Sequence, residues 1–363
     1  MTKVLQVLGR SAGGIARHVA EITAALDDTS GISIDIAAPP DLPVGMPKDV
    51  IEVTIPDGIR GHRGARRELR SIIAAVKPRV VHAHGLRAGI DSGVAARGSG
   101  AEVVVTVHNL VRPEVVGRLK AAAFKPAERL VVKHADRILA VSRDIAAALS
   151  SSASEDGGVD IEVLHLGVEP ASRPQRTEAE VRADLGLDHD RGLVVTASRL
   201  SAQKALDVLL DAIAGVDATL VVAGEGPLER DLRARATALG IDDRVRFLGF
   251  RTDVGDLIAA ADVFCLSSVW EGVPLAAMEA VQLGTPVVAT DVGGTGELIR
   301  DRVSGRLVPP RDPVALADAI NDVLGDDAAR AAYVTAARET LVTDFSTERM
   351  LERLREIYLG AAR

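Results

Sequence analysis

Two glutamates, Glu271 and Glu279, are separated by seven residues in the segment WEGVPLAAMEAVQLGTP, which runs from residue 270 to 286. The segment follows an apolar stretch (261–266) that predicts a strand, and a helix is expected to begin near Pro274, since proline suits a first helical turn. Ligands of open α/β sheets bind at the carboxyl ends of strands. The two glutamates are therefore candidates to bind one polar ligand together. The alternative is that Glu271 only occupies a turn and Glu279 is a solvated helix residue, which would give the same spacing.

The residues between the two glutamates suit a negatively charged group. Backbone N–H groups at the start of a helix have no partner within the helix, and the helix dipole favours an anion there. We therefore expect donors from Gly272, Val273 and Leu275, around Pro274, to face an anionic ligand.

Two cations follow an earlier predicted strand (193–197), namely Arg199 and, five residues on, Lys204. A departing diphosphate gains negative charge as its bond breaks, and two fixed cations can neutralise that charge without a metal. The alternative is that both side chains are solvated, as isolated loop cations usually are.

Together these motifs resemble the retaining family 4 glycosyltransferases, and the resemblance extends along nearly the whole chain. It implies that Glu271 lies beside the transferred sugar, that Glu279 binds the ribose hydroxyls, and that Arg199 and Lys204 stabilise the leaving group. The sequence departs from the family pattern at four serine or alanine positions that usually hold glycine or, before the acidic turn, proline: Ser198, Ala205, Ser267 and Ser268.

The same resemblance implies further site residues. The Gly13-Gly14 turn follows the first strand, where glycine lets a backbone approach the donor closely. His108 ends the strand 103–107 and resembles the position that contacts the transferred sugar, with Asn109 as a weaker neighbour. Other segments resemble the nucleotide side of the site: the turn 224–227, the stretch 247–249 and Arg251, which is expected near the base.

His82 and His84 flank Ala83 at the end of a predicted strand. This spacing could form a metal pair if further ligands converged on it. Because no cysteine or carboxylate is close in the sequence, the interpretation favours a structural polar network. We expect no metal and no cofactor besides the sugar nucleotide, which is the substrate.

The composition limits the class of protein. A chain of 363 residues with 47% hydrophobic residues fits two domains, and only 2% aromatic residues supply little for stacking on nucleic acid bases. The one cysteine, Cys265, excludes an intramolecular disulfide. No apolar run reaches the ~20 residues needed to span a bilayer, and no signal peptide is recognisable, so a cytoplasmic location is expected.

Basic residues are concentrated between residues 60 and 143. Four arginines recur with helical spacing, so a helix there would present them on one face: Arg63, Arg66, Arg67 and Arg70. A second set repeats every fourth residue: Lys125, Arg129 and Lys133. These faces could meet anionic lipid headgroups at the inner face of the plasma membrane, or a phosphate-bearing acceptor. A solvated face is the alternative.

Strand and helix patterns alternate twice along the chain, which predicts an α/β protein with two Rossmann-like domains facing across a cleft. The domains are predicted at 1–167, binding the acceptor, and 168–346, binding the nucleotide sugar, with a linker near 166–174 and a final helix from 347 that returns to the first domain. Neither half has a G-x-G-x-x-G turn or a G-x-x-x-x-G-K-[ST] loop, which argues against nicotinamide dehydrogenases and P-loop nucleotide triphosphatases.

The sequence thus predicts a retaining, metal-independent glycosyltransferase that moves a hexose-type sugar from a nucleoside diphosphate to a glycan or lipid-linked acceptor. Two alternatives stay open at this point. A nucleotide-sugar epimerase of the same fold would need no acceptor, and a non-catalytic module would bind a sugar nucleotide or a lipid without turnover.

Overall fold

The computed structural model describes residues 1–10, 14–28, 31–42, 45–58, 60–117, 121–122, 124–152, 159–168, 170–187 and 191–360. The fold divides into two compact units. The first comprises residues 1–167 and 347–363, and the second comprises residues 168–346.

The first unit is built on a parallel sheet with the strand order β3-β2-β1-β4-β5-β6-β7. Its strands are β1 Thr2–Leu8, β2 Ile32–Ala38, β3 Val50–Glu52, β4 Val80–His84, β5 Glu102–Val107, β6 Arg137–Ala140 and β7 Asp160–Val163. The described helices are Gly14–Leu26, His62–Val76, Leu86–Ala95, Pro113–Val116, Lys125–His134, Arg143–Ser150 and Thr347–Gly360. Central strands are apolar on both faces because helices cover both sides of a parallel sheet.

The last helix, Thr347–Gly360, belongs to the core of the first unit. Its apolar residues pack with those of β1, β2 and the helix Gly14–Leu26. Tyr358 is fully buried in this cluster and carries a hydroxyl group into it. The chain therefore leaves the first unit after Gly167 and completes its core only with its final residues.

The second unit holds a parallel sheet with the strand order β10-β9-β8-β11-β12-β13. Its strands are β8 Gly192–Ala197, β9 Ala218–Ala223, β10 Val245–Gly249, β11 Val263–Leu266, β12 Val287–Thr290 and β13 Arg306–Val308. Its helices are Glu178–Asp184, Leu206–Ala214, Glu229–Ala238, Val254–Ala259, Leu275–Leu283, Thr295–Leu298, Pro313–Leu324 and Asp327–Asp344, with short 3-10 turns at Ala202–Lys204 and Asp242–Arg244.

The predicted α/β class with two parallel sheets is confirmed, and the strands predicted from apolar runs are present. Two strands escaped the sequence analysis, β3 and β13, each of three residues at an edge of its sheet. Such short edge strands carry too few alternating residues to produce a pattern.

Cys265 lies fully buried in β11.

In the part of the chain that the structure describes, no helix is both long and apolar enough to cross a membrane.

Candidate functional site

In the second sheet the strand order reverses between β8 and β11, and the loops that follow these two strands meet at the carboxyl edge. The first loop carries Lys204 and the second carries Glu271. The Lys204 Nζ atom lies 2.6 Å from Glu271 Oε1, and only 5% of Glu271 is exposed. Such a reversal is where open α/β sheets bind ligands, so the ion pair stands at the expected place for a site.

Two serines hold this ion pair in position. The Ser268 hydroxyl donates to Glu271 Oε1 over 2.5 Å, and the Ser267 hydroxyl donates to the Lys204 carbonyl oxygen over 2.9 Å. Thr290, at the end of β12, donates to the Ser268 carbonyl oxygen over 2.5 Å. Sequence reasoning treated these serines only as departures from the family pattern, whereas the structure makes them partners of the two charged residues.

Further bonds join the two loops. The Val269 amide donates to the Gln203 carbonyl oxygen over 2.8 Å, and the Gln203 side chain donates to the Trp270 carbonyl oxygen over 2.9 Å. These hydrogen bonds fix the two loops relative to each other. The ion pair between Lys204 and Glu271 therefore forms with little further loss of conformational entropy.

A glycine that the sequence analysis missed supports the backbone of Glu271. Gly293 has φ +52°, and a Cβ atom at this position would overlap the Glu271 carbonyl oxygen. The same oxygen accepts from the Gly294 amide over 3.0 Å. The Gly-Gly pair that follows β12 was the available signal, because paired glycines after a strand often mark a close backbone approach.

Arg199 is exposed on the loop after β8. The backbone of this loop is held by the turn that begins at Gly224, since a Cβ atom at Gly224 or Gly226 would overlap the carbonyl oxygens of Ser198 and Leu200. The turn 224–227, predicted on the nucleotide side, therefore packs directly against the loop that carries Arg199. Within the described residues, the buried Ser198 hydroxyl has no hydrogen-bond partner.

The helix after Glu271 begins one residue later than expected, at Leu275, with Pro274 before its first turn. The Leu275 amide donates to the Val273 carbonyl oxygen over 3.0 Å, so the expectation of a free Leu275 donor is wrong. This contact is a tight three-residue turn, which follows from the proline between the two residues. Among the described residues, the amides of Gly272 and Val273 have no assigned acceptor.

Glu279 lies half-buried within the helix Leu275–Leu283, as predicted, and its Oε1 atom faces Gly255. Arg251 makes two bonds to Asp253, from Nε to Oδ1 over 2.7 Å and from a terminal nitrogen to Oδ2 over 2.6 Å. Its side chain is therefore oriented by a neighbour two residues away, and its contact with a base stays a prediction.

In the first unit a cluster of histidines occupies the carboxyl edge at the reversal between β1 and β4. His84 ends β4, His108 follows β5, and His18 lies on the helix Gly14–Leu26. The His84 Nδ1 and His108 Nε2 atoms are 3.2 Å apart. Gly14 is the first residue of that helix, whereas Gly13 lies outside the described residues.

A chain of hydrogen bonds connects this cluster to the last helix. His84 Nε2 donates to Gln6 Oε1 over 2.7 Å, and Gln6 Nε2 donates to the Tyr358 hydroxyl oxygen over 2.9 Å. Tyr358 in turn donates to His82 Nδ1 over 2.6 Å, and His82 Nε2 donates to Thr106 Oγ1 over 2.7 Å. The predicted polar-network role of His82 is confirmed, and His84 joins the same network through its Nε2 atom.

Two family models match consecutive parts of the chain. Glycosyltransferase Family 4 matches residues 12–172, and Glycosyl transferases group 1 matches residues 177–340. The chain belongs to the family 4 glycosyltransferases. The predicted family is thereby confirmed.

Several relatives of this glycosyltransferase share the name D-inositol 3-phosphate glycosyltransferase. The protein of Salinispora tropica is 36% identical over 310 residues, covering 77% of this chain and 63% of the relative. That of Salinispora arenicola is 34% identical over 310 residues, covering 77% of this chain and 68% of the relative. The matched region thus spans about two thirds of the length of these relatives.

Solved structures share the fold of this glycosyltransferase at low identity. The Anabaena protein HepE, solved in complex with UDP and glucose, has a TM-score of 0.82 at 22% identity and covers 99% of this chain and 100% of that one. The lipopolysaccharide glycosyltransferase WaaG has a TM-score of 0.74 at 19% identity, with coverage of 99% and 100%. The chain therefore has the GT-B fold class of these glycosyltransferases.

Burial controls the charge of the glycosyltransferase's histidine cluster. It lowers the pKa of His18 to about 4 and that of His82 to about 3, because an imidazolium ion loses its hydration there. The pKa values of His84 and His108 also lie well below the usual value, for the same reason and because the neighbouring histidines repel a further charge. The four rings are therefore neutral at neutral pH.

We expect the stability of the glycosyltransferase to fall on mild acidification. The unfolded chain takes up protons on these histidines below about pH 6.5, whereas the folded chain does not, so the stabilisation is complete above that pH and is lost as the pH falls towards the folded values. Each ring that stays neutral contributes a slope of up to about 1.4 kcal/mol per pH unit. Urea unfolding in metal-free buffer, from about pH 7.5 to 5, measures it.

The variant His18→Phe removes one of these rings and should flatten the profile by one ring's share. An unfolding free energy that stays constant over this pH range in the wild-type chain would contradict the assignment of neutral, buried histidines.

Proposed function

We propose that this chain transfers a hexose-type sugar from a nucleoside diphosphate to an acceptor, with retention of the configuration at the anomeric carbon. The observation that carries the proposal is the ion pair between Lys204 and Glu271. It joins a cation suited to a diphosphate with a carboxylate suited to sugar hydroxyls, at the carboxyl edge where ligands of such sheets bind.

In the proposed reaction the bond between the anomeric carbon and the diphosphate breaks first, and the sugar gains positive charge. Lys204, Arg199 and the amides of Gly272 and Val273 stabilise the departing diphosphate, because fixed donors gain strength where negative charge develops. Glu271 orients the sugar and stabilises its positive charge. Glu279 is proposed to bind the ribose hydroxyls, and His108 to contact the transferred sugar.

The acceptor is proposed to attack from the face that the diphosphate leaves, so that configuration is retained. Its hydroxyl proton passes to the departing diphosphate, which balances the reaction without a dedicated protein base. No metal is required in this scheme, because the cations of the protein neutralise the leaving group.

The acceptor is proposed to bind the first unit and to carry a phosphate group. The name of the relatives, D-inositol 3-phosphate glycosyltransferase, supports a phosphorylated polyol as the first acceptor to test. The UDP and glucose bound by HepE support UDP-glucose as the first donor.

The test is a panel of nucleotide sugars, each assayed for release of nucleoside diphosphate alone, with D-inositol 3-phosphate, and with a lipid extract. Acceptor-dependent release with an α-linked product from an α-linked donor is the expected result. Conversion of a donor into another sugar nucleotide without acceptor would instead identify an epimerase. Nucleotide-induced stabilisation without turnover of any donor would identify a binding module.

The first unit also offers a basic surface for membrane contact. The helices His62–Val76 and Lys125–His134 both pack against the helix Leu86–Ala95, so their outer faces belong to one layer. Six of their basic residues are exposed: Arg63, Arg67, Arg70, Lys125, Arg129 and Lys133. The apolar residues Phe124 and Leu130 are exposed beside the second set, at 37% and 41%. Basic residues with exposed apolar neighbours suit an anionic bilayer surface.

Arg66, which was predicted to belong to this surface, instead pairs with a buried carboxylate. Arg66 donates from Nε to Asp91 Oδ1 over 2.7 Å, and the other oxygen of Asp91 lies 2.6 Å from His62 Nδ1. Asp91 is fully buried. The prediction that Arg66 lies on the solvent face is therefore wrong in part, because this side chain turns inward to neutralise a buried carboxylate.

Changing Arg63, Arg67 and Arg70 to glutamine is expected to weaken sedimentation with anionic liposomes on the order of 100-fold, because each arginine near such a surface contributes about 1 kcal/mol. Arg66 is kept, so that Asp91 retains its partner. Vesicles of phosphatidylcholine alone serve as the control and should retain little protein in either form. Equal sedimentation of wild type and variant would return this surface to a solvated one.

A further inference from the structure

Three histidines of the first unit converge from three different elements. His18, His84 and His108 present ring nitrogens that all lie within 4.8 Å of one another. Their ring centroids are 5.4 to 5.7 Å apart for every pair, so the rings stand at the corners of a nearly equilateral triangle. Side chains that are far apart in sequence, with similar chemistry, thus surround one point.

This spacing matches the geometry of a three-histidine metal centre. With Zn–N distances of about 2.1 Å, a tetrahedral ion holds its ligand nitrogens about 3.4 Å apart and the ring centroids roughly 5.3 Å apart. The His84 Nδ1 and His108 Nε2 atoms already stand 3.2 Å apart. The ring nitrogen of His18 lies within 4.8 Å of both, so the three rings would have to draw closer together around an ion.

The surroundings of His84 select the nitrogen that a metal needs. Its Nε2 atom donates a proton to Gln6 Oε1 over 2.7 Å, so the lone pair lies on Nδ1, which faces His108. Gln6 is itself held by the Tyr358 hydroxyl. A histidine that binds a metal through one nitrogen and donates its other N–H to a fixed oxygen is the usual arrangement of metal centres.

His18 and His82 differ in a way that defines the cluster. Both nitrogens of His82 are engaged, by Tyr358 and Thr106, so this ring has no free lone pair for a metal. His18 is only 5% exposed, and its ring lies edge-on to the rings of both His84 and His108.

We propose that His18, His84 and His108 bind one Zn²⁺ ion, which leaves a fourth coordination position for water or a small ligand. Imidazole nitrogens favour this ion, and three protein ligands leave one coordination position open. The position at the reversal between β1 and β4 makes the centre reachable from the carboxyl edge of the sheet.

The centre would control the reaction rather than take part in it. A Zn²⁺ ion bound through His108 Nε2 withdraws that atom from the sugar contact proposed above, so zinc is expected to inhibit transfer and a chelator to restore it. This consequence rests on the proposed function, whereas the binding of the metal does not.

Binding is tested on the whole chain with Co²⁺, whose visible absorption reports coordination geometry. After chelator treatment, one equivalent of Co²⁺ is expected to give the intense bands of a tetrahedral site, and one equivalent of Zn²⁺ is expected to abolish them. The variants His18→Phe and His18→Asn should lose these bands. Changing the supporting residue, Gln6→Met, should weaken binding about 10- to 100-fold.

The matched control is His134→Asn, which removes a histidine of the same unit that contacts Arg97 outside the cluster. It should retain the bands. Circular dichroism verifies that each variant is folded, and His108→Gln replaces the His18 variants if they are not. Weak octahedral bands in the wild type, or equal Co²⁺ affinity in the wild type and a folded His18 or His108 variant, would overturn the proposal.

The two proposals can fail separately. Tetrahedral Co²⁺ binding without inhibition of transfer by Zn²⁺ supports the metal site and overturns the sugar contact of His108. Absent metal binding in an active transferase overturns the metal site alone.

Discussion

Replacing Glu271 with glutamine is expected to lower the rate of sugar transfer about 100- to 1,000-fold, the usual effect of removing one preorganised charge from a reaction centre. Glutamine keeps the size of the side chain, and its carbonyl oxygen can still accept from the Ser268 hydroxyl. The charge that is proposed to stabilise the reacting sugar is lost. Acceptor-dependent product formation, measured under single-turnover conditions, gives the result.

Lys204→Met is expected to cause a loss of similar size, by removing the cation proposed to stabilise the leaving diphosphate. Because the Lys204 and Glu271 side chains form one ion pair, the double variant should lose less than the product of the two single effects. Ser268→Ala retains both charges and is expected to cost roughly tenfold, through a less firmly held carboxylate.

The matched control for Glu271→Gln is Glu178→Gln. Glu178 also forms an ion pair, with Arg182, but Arg182 contacts Asp262 at the amino edge of the same sheet. The Glu178→Gln variant should therefore transfer sugar at the rate of the wild type. Unchanged transfer in Glu271→Gln, with a native circular dichroism spectrum, would refute the assigned role of this carboxylate.

Replacing Tyr358 with alanine is expected to destabilise the first unit by about 3–5 kcal/mol, which is a large part of the stability of an ordinary domain. The side chain is fully buried and lies in the cluster that joins the last helix to β1, β2 and the helix Gly14–Leu26. The substitution creates a cavity and removes the central member of the hydrogen-bond chain. Urea unfolding followed by circular dichroism measures the change.

Tyr358→Phe separates packing from hydrogen bonding. It keeps the ring but leaves Gln6 Nε2 without its acceptor and His82 Nδ1 without its donor, which costs about 1–3 kcal/mol. Tyr333→Phe is the matched control, since it makes the same change at a partly exposed tyrosine of the second unit and should leave stability almost unchanged. Equal stability of all three variants and the wild type would contradict a structural role of the last helix.

Much of the fold could be predicted from the sequence, because each central strand is an apolar run bounded by turn residues. A parallel sheet buries both faces of such strands, so the requirement is local and visible in the composition. The short edge strands β3 and β13 could not be predicted, since their position depends on the neighbouring strand and not on their own pattern. The start of the helix at Leu275 was predicted one residue too early, because the turn around Pro274 sets where the helix begins.

The candidate site was predicted in parts. Glu271 and Lys204 were recognised separately, each from its own motif, and the roles of Ser267 and Ser268 were missed. The chain separates Lys204 and Glu271 by 67 positions. The strand order, which places β8 beside β11, is what brings their loops together, and no local pattern encodes that order.

By itself the sequence determined the α/β class, the family, and the residue types available for chemistry, because helices, strands and short motifs are specified over a few neighbouring positions. The tertiary structure alone decided which residues meet: the serines with the ion pair, Arg66 with the buried Asp91, and His18 with His84 and His108. These contacts follow from the order of the strands in each sheet and from the packing of helices on the sheets. Both depend on the chain as a whole.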